Sequence, residues 1–232
     1  MAKRIFITGS TQGLGLLTGE LLIKEGHQVI FHARNKSSKM NPHYSYIMGD
    51  LSTFEGIAAV AHQANQHARF DAIIHNAGVY NASSEEIFSV NVLAPYLLST
   101  LIQRPERAIY LSSGMHMSGT MNLDYKTCTY SDSKLFVLML AKKFAQNWDE
   151  MFINAVDPGW VPTRMGGANA PDDLIQGVET QIWLATSDEQ EALVTGKYFH
   201  HKKEQKTNPL SDSSEYQAKL TEYINEYIER TK

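Results

Sequence analysis

RIFITGSTQGLGLLTGELLIKEG (4–26) holds two hydropathy patterns joined by a glycine-rich turn. RIFIT (4–8) is short, bulky and apolar, as a buried strand is. LGLLTGELLIKEG (14–26) repeats its apolar residues at helical spacing, and Gly26 stands where a helix stops. Between them Gly9, Gly13 and Gly15 permit a sharp strand-to-helix turn. Such a turn lets backbone amides and the positive end of the helix dipole approach a pyrophosphate. The spacing is G-x-x-x-G-x-G, neither G-x-G-x-x-G nor a P-loop, which needs Gly-Lys-Ser/Thr. Glycines at such a turn also serve structure alone. Their place directly after the first strand is what points to a dinucleotide.

The same alternation continues along the chain. HQVIFHA (27–33), YSYIMGD (44–50), FDAIIHNAG (70–78), RAIYLSS (107–113), MFINAVDPG (151–159) and GKYFHHK (196–202) read as further strands. Helical patterns separate them over 52–67, about 84–103, from 129 onward and about 172–186. Ser52 and Glu55 have the spacing of a capping box. Seven near-continuously apolar strands alternating with helices predict βαβ units and a parallel sheet covered on both faces. The expected fold is α/β, doubly wound, as one Rossmann-type domain over 1–232. A final helix, 213–230, puts Tyr216, Leu220, Tyr223, Ile224, Tyr227 and Ile228 on one stripe. It is expected to pack on the body or on a second subunit.

Composition narrows the class. A formal net charge of -4 offers nothing for nucleic acid or an anionic membrane. One cysteine, Cys128, excludes an internal disulfide and a cysteine-based zinc site, and no metal site is expected. The chain enters a strand at once and has no apolar run of membrane-spanning length, so a cytoplasmic protein without a signal peptide is expected.

The second strand ends in His32-Ala33-Arg34-Asn35, with Lys36 and Lys39 following, and no acidic residue occurs from 27 to 49. An NAD site usually carries a carboxylate there for the ribose 2′-hydroxyl. A carboxylate repels a 2′-phosphate, whereas the planar fork of Arg34 bonds one. The cofactor expected is therefore NADP(H).

TYSDSKLFVLMLAKKF (129–144) sets Tyr130 and Lys134 one turn apart on a helix face. A free tyrosine is a poor acid-base group at neutral pH, and a nearby ammonium lowers its pKa. Tyr198 and Lys202 repeat the spacing, so spacing alone does not single out a catalytic pair.

TGSTQGLG (8–15), HNAG (75–78), VNVLAP (90–95), YLSSG (110–114), YSDSK (130–134) and DPGWVPT (157–163) occur in the order and approximate spacing of the short-chain dehydrogenase/reductases. The chain resembles that family over nearly its whole length, and is most similar to retinol-dehydrogenase-like and WW-domain-oxidoreductase-like members. The resemblance implies a cofactor turn of Thr8, Gly9, Ser10, Thr11, Gly13, Leu14 and Gly15. It implies Asp50 and Leu51 beside the adenine, and Asn76, Ala77 and Gly78 in the motif where His75 replaces the family's first asparagine. It further implies Pro158, Gly159, Val161 and Thr163 around the nicotinamide, with Tyr130 and Lys134 contacting the cofactor as well. The implied catalytic set is Asn91, Ser113, Tyr130 and Lys134. Strand alternation leaves Ser112 and Ser113 open, and the family pattern favours Ser113.

Reversible hydride transfer between NADP(H) and a carbonyl/alcohol pair follows from the resemblance. Ser113 and Tyr130 would hold the carbonyl oxygen, Tyr130 would donate its proton, Lys134 would lower the Tyr130 pKa and hold the ribose, and Asn91 would anchor a relay water. The alternative is an NADP-binding regulatory or interaction protein without turnover. Met115, His116, Met117, Trp160 and Met165 flank these groups and suit a hydrophobic aldehyde or ketone, or else pack in the core. The segment 163–176 lies where the family carries its substrate loop. Leu135, Phe136, Leu138, Met139, Leu140 and Phe144 make the Tyr130 helix apolar over a wide arc. With the family habit, this predicts a homodimer or homotetramer.

Overall fold

A computed structural model describes residues 1–37 and 40–231; Lys39 lies outside them. The strands are β1 (Arg4–Ile7), β2 (Gln28–Ala33), β3 (Ser45–Met48), β4 (Ala72–His75), β5 (Arg107–Leu111), β6 (Phe152–Asp157), β7 (Tyr198–His200) and β8 (Lys203–Glu204). Their order in the sheet is β3-β2-β1-β4-β5-β6-β7-β8, parallel through β7. The eighth strand was not expected. Residues 201 and 202 take positive φ, reverse the chain and add two antiparallel residues at the edge.

Strand residues alternate between two buried layers. Phe6, Ile73, Tyr110 and Ile153 face one, and Ile5, Ile7, Ile74, Ile109 and Val156 face the other. Helices α1 (Gly13–Lys24) and α6 (Gln176–Thr186) cover the second face. The first carries α2 (Phe54–Ala64), α3 (Ser84–Phe88), α4 (Ala94–Leu101), α5 (Tyr130–Asn147) and α7 (Ser214–Thr231). Sequence order reverses between β1 and β4. In a doubly wound sheet the crevice beyond the carboxyl ends of such strands is the ligand position.

Several local expectations change. The cap of α2 is Thr53, whose hydroxyl accepts the Gly56 amide; Ser52 instead bonds the Asp50 carboxylate. The helix expected over 84–103 is interrupted by a π turn at Ser89–Leu93, closed by the Ala94 amide donating to the Ser89 carbonyl. Pro95 supplies the cause. It has no N–H for the carbonyl four residues back, and its ring crowds that carbonyl, which belongs to Asn91. Helix α6 starts at 176, and the stretch from 163 to 175 is mostly turns.

Every residue of α5 from 132 to 142 is buried. The sheet covers one side. The other is covered by α7 and the 3₁₀ turn Pro209–Asp212 of the same chain, so the partner helix that the apolar arc called for comes in cis. Leu220, Ile224 and Ile228 of α7 are buried. Its Tyr227 packs on Phe54, Phe88 and Tyr125, and Asn225 accepts a 2.8 Å hydrogen bond from Tyr96. A homodimer or homotetramer would have to use other faces. Among the described residues, no helix is long and apolar enough to cross a membrane.

Leu220→Ala leaves a hole between α7 and the body. It should lower unfolding free energy by about 2–5 kcal/mol, read as a reduced urea midpoint.

Candidate active site

The loop after β1 is braced from both neighbouring strands. Gly9 sits at φ +61 with its amide donating to His32 Nδ1 at 2.9 Å, and a Cβ there would lie 2.8 Å from the Ala77 Cα. The Thr8 hydroxyl accepts from the Ala77 amide at 3.0 Å, and Asn76 Nδ2 donates to the carbonyls of Thr8 and Gly9. Ser10 is fully buried and bonds Ile7 and His32, so its side chain holds the turn. Helix α1 then begins without a side-chain cap and without an acidic residue in its first turn. That leaves its amides and dipole free for an anion, with Gly13, Leu14 and Gly15 at the entrance and Thr11 exposed before it. Thr163 comes within 3.7 Å of the position a Gly13 Cβ would take, which brings the loop after β6 over the turn. Val161 and Pro158 seat that loop on Gly177 of α6.

Arg34 leaves the end of β2 largely exposed. Its guanidinium stands 3.8 Å from both Asp50 and Glu86, the second of which sequence reasoning missed. Pairs so long and exposed contribute little and leave the fork available. Asp50 accepts from the Ser52 amide and hydroxyl, and Leu51 is buried beneath it.

The catalytic candidates meet at Gly78. A Cβ there would be 3.4 Å from both Asn91 Oδ1 and Lys134 Nζ. Asn91 is held by both polar atoms of its amide: Oδ1 accepts from Val79 N, and Nδ2 donates to Val79 O and Ser133 Oγ. A capping box starts α5 at Thr129 and Asp132 and so sets the first turn that carries Tyr130 and Lys134. Lys134 is deeply buried, with Nζ donating to the Leu111 carbonyl at 2.8 Å. An ammonium has three N–H donors, so this one retains capacity for a ribose hydroxyl and a water. The two serines have different surroundings. Ser112 is buried with its hydroxyl on the Lys134 carbonyl, whereas Ser113 lies against the Tyr130 phenol.

The electrostatics depart from expectation. Burial pushes Tyr130 up to about 12, the Asp157 carboxylate adds to the rise, and the Ser113 hydroxyl pulls it down. The rise is opposite to the lowering expected from Lys134, because burial disfavours the charged forms of both groups. Lys134 is pushed down to about 8 by the same burial, opposed by Asp157. The edge of Tyr80 meets Tyr130 with ring centroids 4.8 Å apart. Among the flanking residues, Met115, Met117, Trp160 and Met165 are exposed. His116 is buried: it bonds the Ser113 carbonyl through Nδ1, takes the Asn208 amide on Nε2, and packs on Tyr198. Tyr80 and Glu86 lie in no motif, and Asp157, the first residue of DPGWVPT, was assigned no role there. The signal for Asp157 was an acidic residue directly before Pro158-Gly159. A polar cleft of about 710 Å³ lined by Lys142, Lys197, Lys206 and Asp212 contains none of the predicted site residues.

His75, where the sequence departs from the family motif, is structural. It is buried, 3.2 Å from the Ser99 hydroxyl and stacked on Tyr110.

A parallel doubly wound sheet with a glycine turn at its switch point and a Ser-Tyr-Lys-Asn cluster beside it defines a Rossmann-type protein of the dehydrogenase kind. The family described as short chain dehydrogenase matches residues 3–173, and the chain belongs to it. It is 33% identical to an uncharacterized oxidoreductase, AN7799, of Emericella nidulans over 96% of each chain. It is 25% identical to human retinol dehydrogenase 14, over 94% of this chain and 84% of that one. Its fold matches a blue fluorescent protein from a metagenomic library, solved with NADPH, at a TM-score of 0.72 and 19% identity, covering 85% of this chain and 95% of that one.

Burial pushes His75 down to about 3, against about 6.5 in an unfolded chain. A lowered folded value means stability is fully present above pH 6.5 and is lost as pH falls toward 3, by at most about 1.4 kcal/mol per unit. In His75→Asn that titration is gone. The stability gap between wild type and variant should narrow from pH 7 to pH 4 in urea unfolding.

Proposed function

We propose that the protein is an oxidoreductase that moves a hydride between NADP(H) and a small carbonyl or alcohol substrate, with hydrophobic aldehydes or ketones as the substrate class. The convergence of Ser113, Tyr130, Lys134 and Asn91 behind an uncapped, carboxylate-free α1 terminus carries this reading. The unused donors of Lys134, the open helix end and the loosely paired Arg34 are a donor set that fits a nicotinamide dinucleotide bearing a 2′-phosphate. That cofactor, when bound, supplies or accepts the hydride.

The chain's own groups do the rest. Ser113 and Tyr130 hold the carbonyl oxygen through their hydroxyls, where negative charge develops. Tyr130 stays protonated across the neutral range, so it enters reduction with its proton in place. Lys134 binds the ribose with its free donors and stabilises the phenolate after the proton leaves. Asn91 keeps a carbonyl and an amide of the 79 peptide in place beside Lys134, where a relay water is held. Exposed Met115, Met117, Trp160 and Met165 give the entrance an apolar, adaptable lining. The turns over 163–176 act as the substrate loop. The site suits a small-molecule partner.

The test is NADPH absorbance against a panel of aldehydes, ketones and quinones. Tyr130→Phe should lower kcat by about 10²–10⁴ while NADPH binding, read by fluorescence, is retained. Full turnover in that variant would refute the assignment. Arg34→Ala should weaken NADPH binding by about tenfold or more and leave NADH binding unchanged, the measure of a lost charge-assisted contact to phosphate.

A further inference from the structure

Three strands end in one row beneath the first turn of α5. In the register of β5, β6 and β7, Tyr110 pairs with Ala155, and Ala155 with Tyr198. Tyr110, Ala155 and Tyr198 share the core layer of α5. Side chains two residues on along a strand return to the same face. The next row on that face is therefore Ser112, Asp157 and His200, with Asp157 paired to His200. Ser112 proves the direction, since its hydroxyl bonds the Lys134 carbonyl.

Asp157 brings a carboxylate into that row. Its Oδ1 accepts from the Gly159 amide at 2.9 Å. Its Oδ2 lies 3.1 Å from where a Gly114 Cβ would stand, so it reaches the residue after Ser113. Its side chain is 17% exposed. From β7, His200 Nδ1 comes within 3.7 Å of Oδ2, and Tyr198 sets its hydroxyl beside the carboxylate. From the turn Gly114–Ser118, His116 faces it, with Lys142 of α5 beyond. From α5, Lys134 reaches the same row: its Nζ donates to the Leu111 carbonyl, Leu111 pairs with Val156 beside Asp157, and its own carbonyl takes the Ser112 hydroxyl. The other carboxylate of that turn, Asp132, is directed into the capping box and the Thr120 amide. Asp172 lies on the far side of Gly159 and is occupied by the Trp160 amide.

The geometry points to Asp157 as a positioning residue of the active site: it supplies, from the same face of the sheet, the negative charge that offsets the buried ammonium of Lys134. None of its hydrogen bonds needs substrate or cofactor, so it acts through Lys134 and Tyr130 and not on the reacting atoms. The effect on both groups has the same sign. A negative charge favours the protonated form of a lysine and of a tyrosine alike, and this one works against burial at Lys134 and with it at Tyr130. A reductase gains from both, because it needs the proton on Tyr130 and the charge on Lys134 at once.

This inference rests on the proposed function for its meaning, but its test does not. In cofactor-free protein carrying ¹³Cε-lysine, the resonance assigned to Lys134 by its loss in Lys134→Met is followed against pH by NMR. Wild type should titrate near 8, apart from the surface lysines. In Asp157→Asn, which keeps an acceptor for the Gly159 amide, the Lys134 midpoint should fall by about one pH unit, the scale of one neighbouring opposite charge. Asp157→Ser serves as a second variant should the first not fold. In the active enzyme, the descending limb of kcat/KM for carbonyl reduction should move to lower pH by the same shift. A Lys134 midpoint unchanged in folded variants overturns the inference. A midpoint that moves in a protein that oxidises NADPH with no carbonyl upholds it and overturns the proposed function instead.

Discussion

Helix α5 is buried around its full circumference over more than half its length, and the rest of the molecule is arranged to make that possible. A helix apolar on every side must be enclosed. Here the sheet encloses it below, while α7 and the turn before α7 enclose it above. Burial also fixes the first turn of α5 without a loop's freedom. The catalytic candidates Tyr130 and Lys134 therefore sit on the most constrained element of the fold, with only Tyr130 near the surface. The cost of that position is electrostatic: an ammonium in the interior is tolerated through the Leu111 carbonyl and the charge of Asp157.

Two backbone devices aim the other groups at that turn. Pro95 denies Asn91 its helical hydrogen bond, and the resulting π turn lets the Asn91 side chain reach the 79 peptide and Ser133. On the opposite side, the turn after β1 is tied to the end of β4 through Thr8, Asn76 and Ala77, which joins the glycine loop to the Gly78 floor. Both devices act on the segments that follow β1 and β4, where sheet order reverses. His116 adds a third tie, joining the Ser113 carbonyl to the 208 peptide.

Much of this was legible in the chain because it is local. The alternation of apolar strands and helices yields the parallel sheet. The glycine turn yields the helix terminus it opens, and VNVLAP already contains both the asparagine and the proline that displaces it. The cap of α2 was misread by one residue because Ser52 and Thr53 are chemically equivalent there. Tertiary contact chose Thr53 by engaging Ser52 with Asp50. The pair at β7–β8 was missed because two residues with positive φ carry no glycine to announce them.

The sequence by itself determined the order of elements, the family motifs and the identity of the groups that could carry chemistry, since these depend on periodicity and on residues close along the chain. Tertiary structure decided what depends on distance and solvent. It set the Ser113 hydroxyl against Tyr130 and the Ser112 hydroxyl on a backbone carbonyl. It folded α7 onto α5 in cis, where pattern allowed a second subunit equally. It also reversed the expected tuning of Tyr130, because burial, with a carboxylate 27 residues away in sequence, raises its pKa. Spacing along a chain carries no information about dielectric, and it is the dielectric that sets the charge of this site.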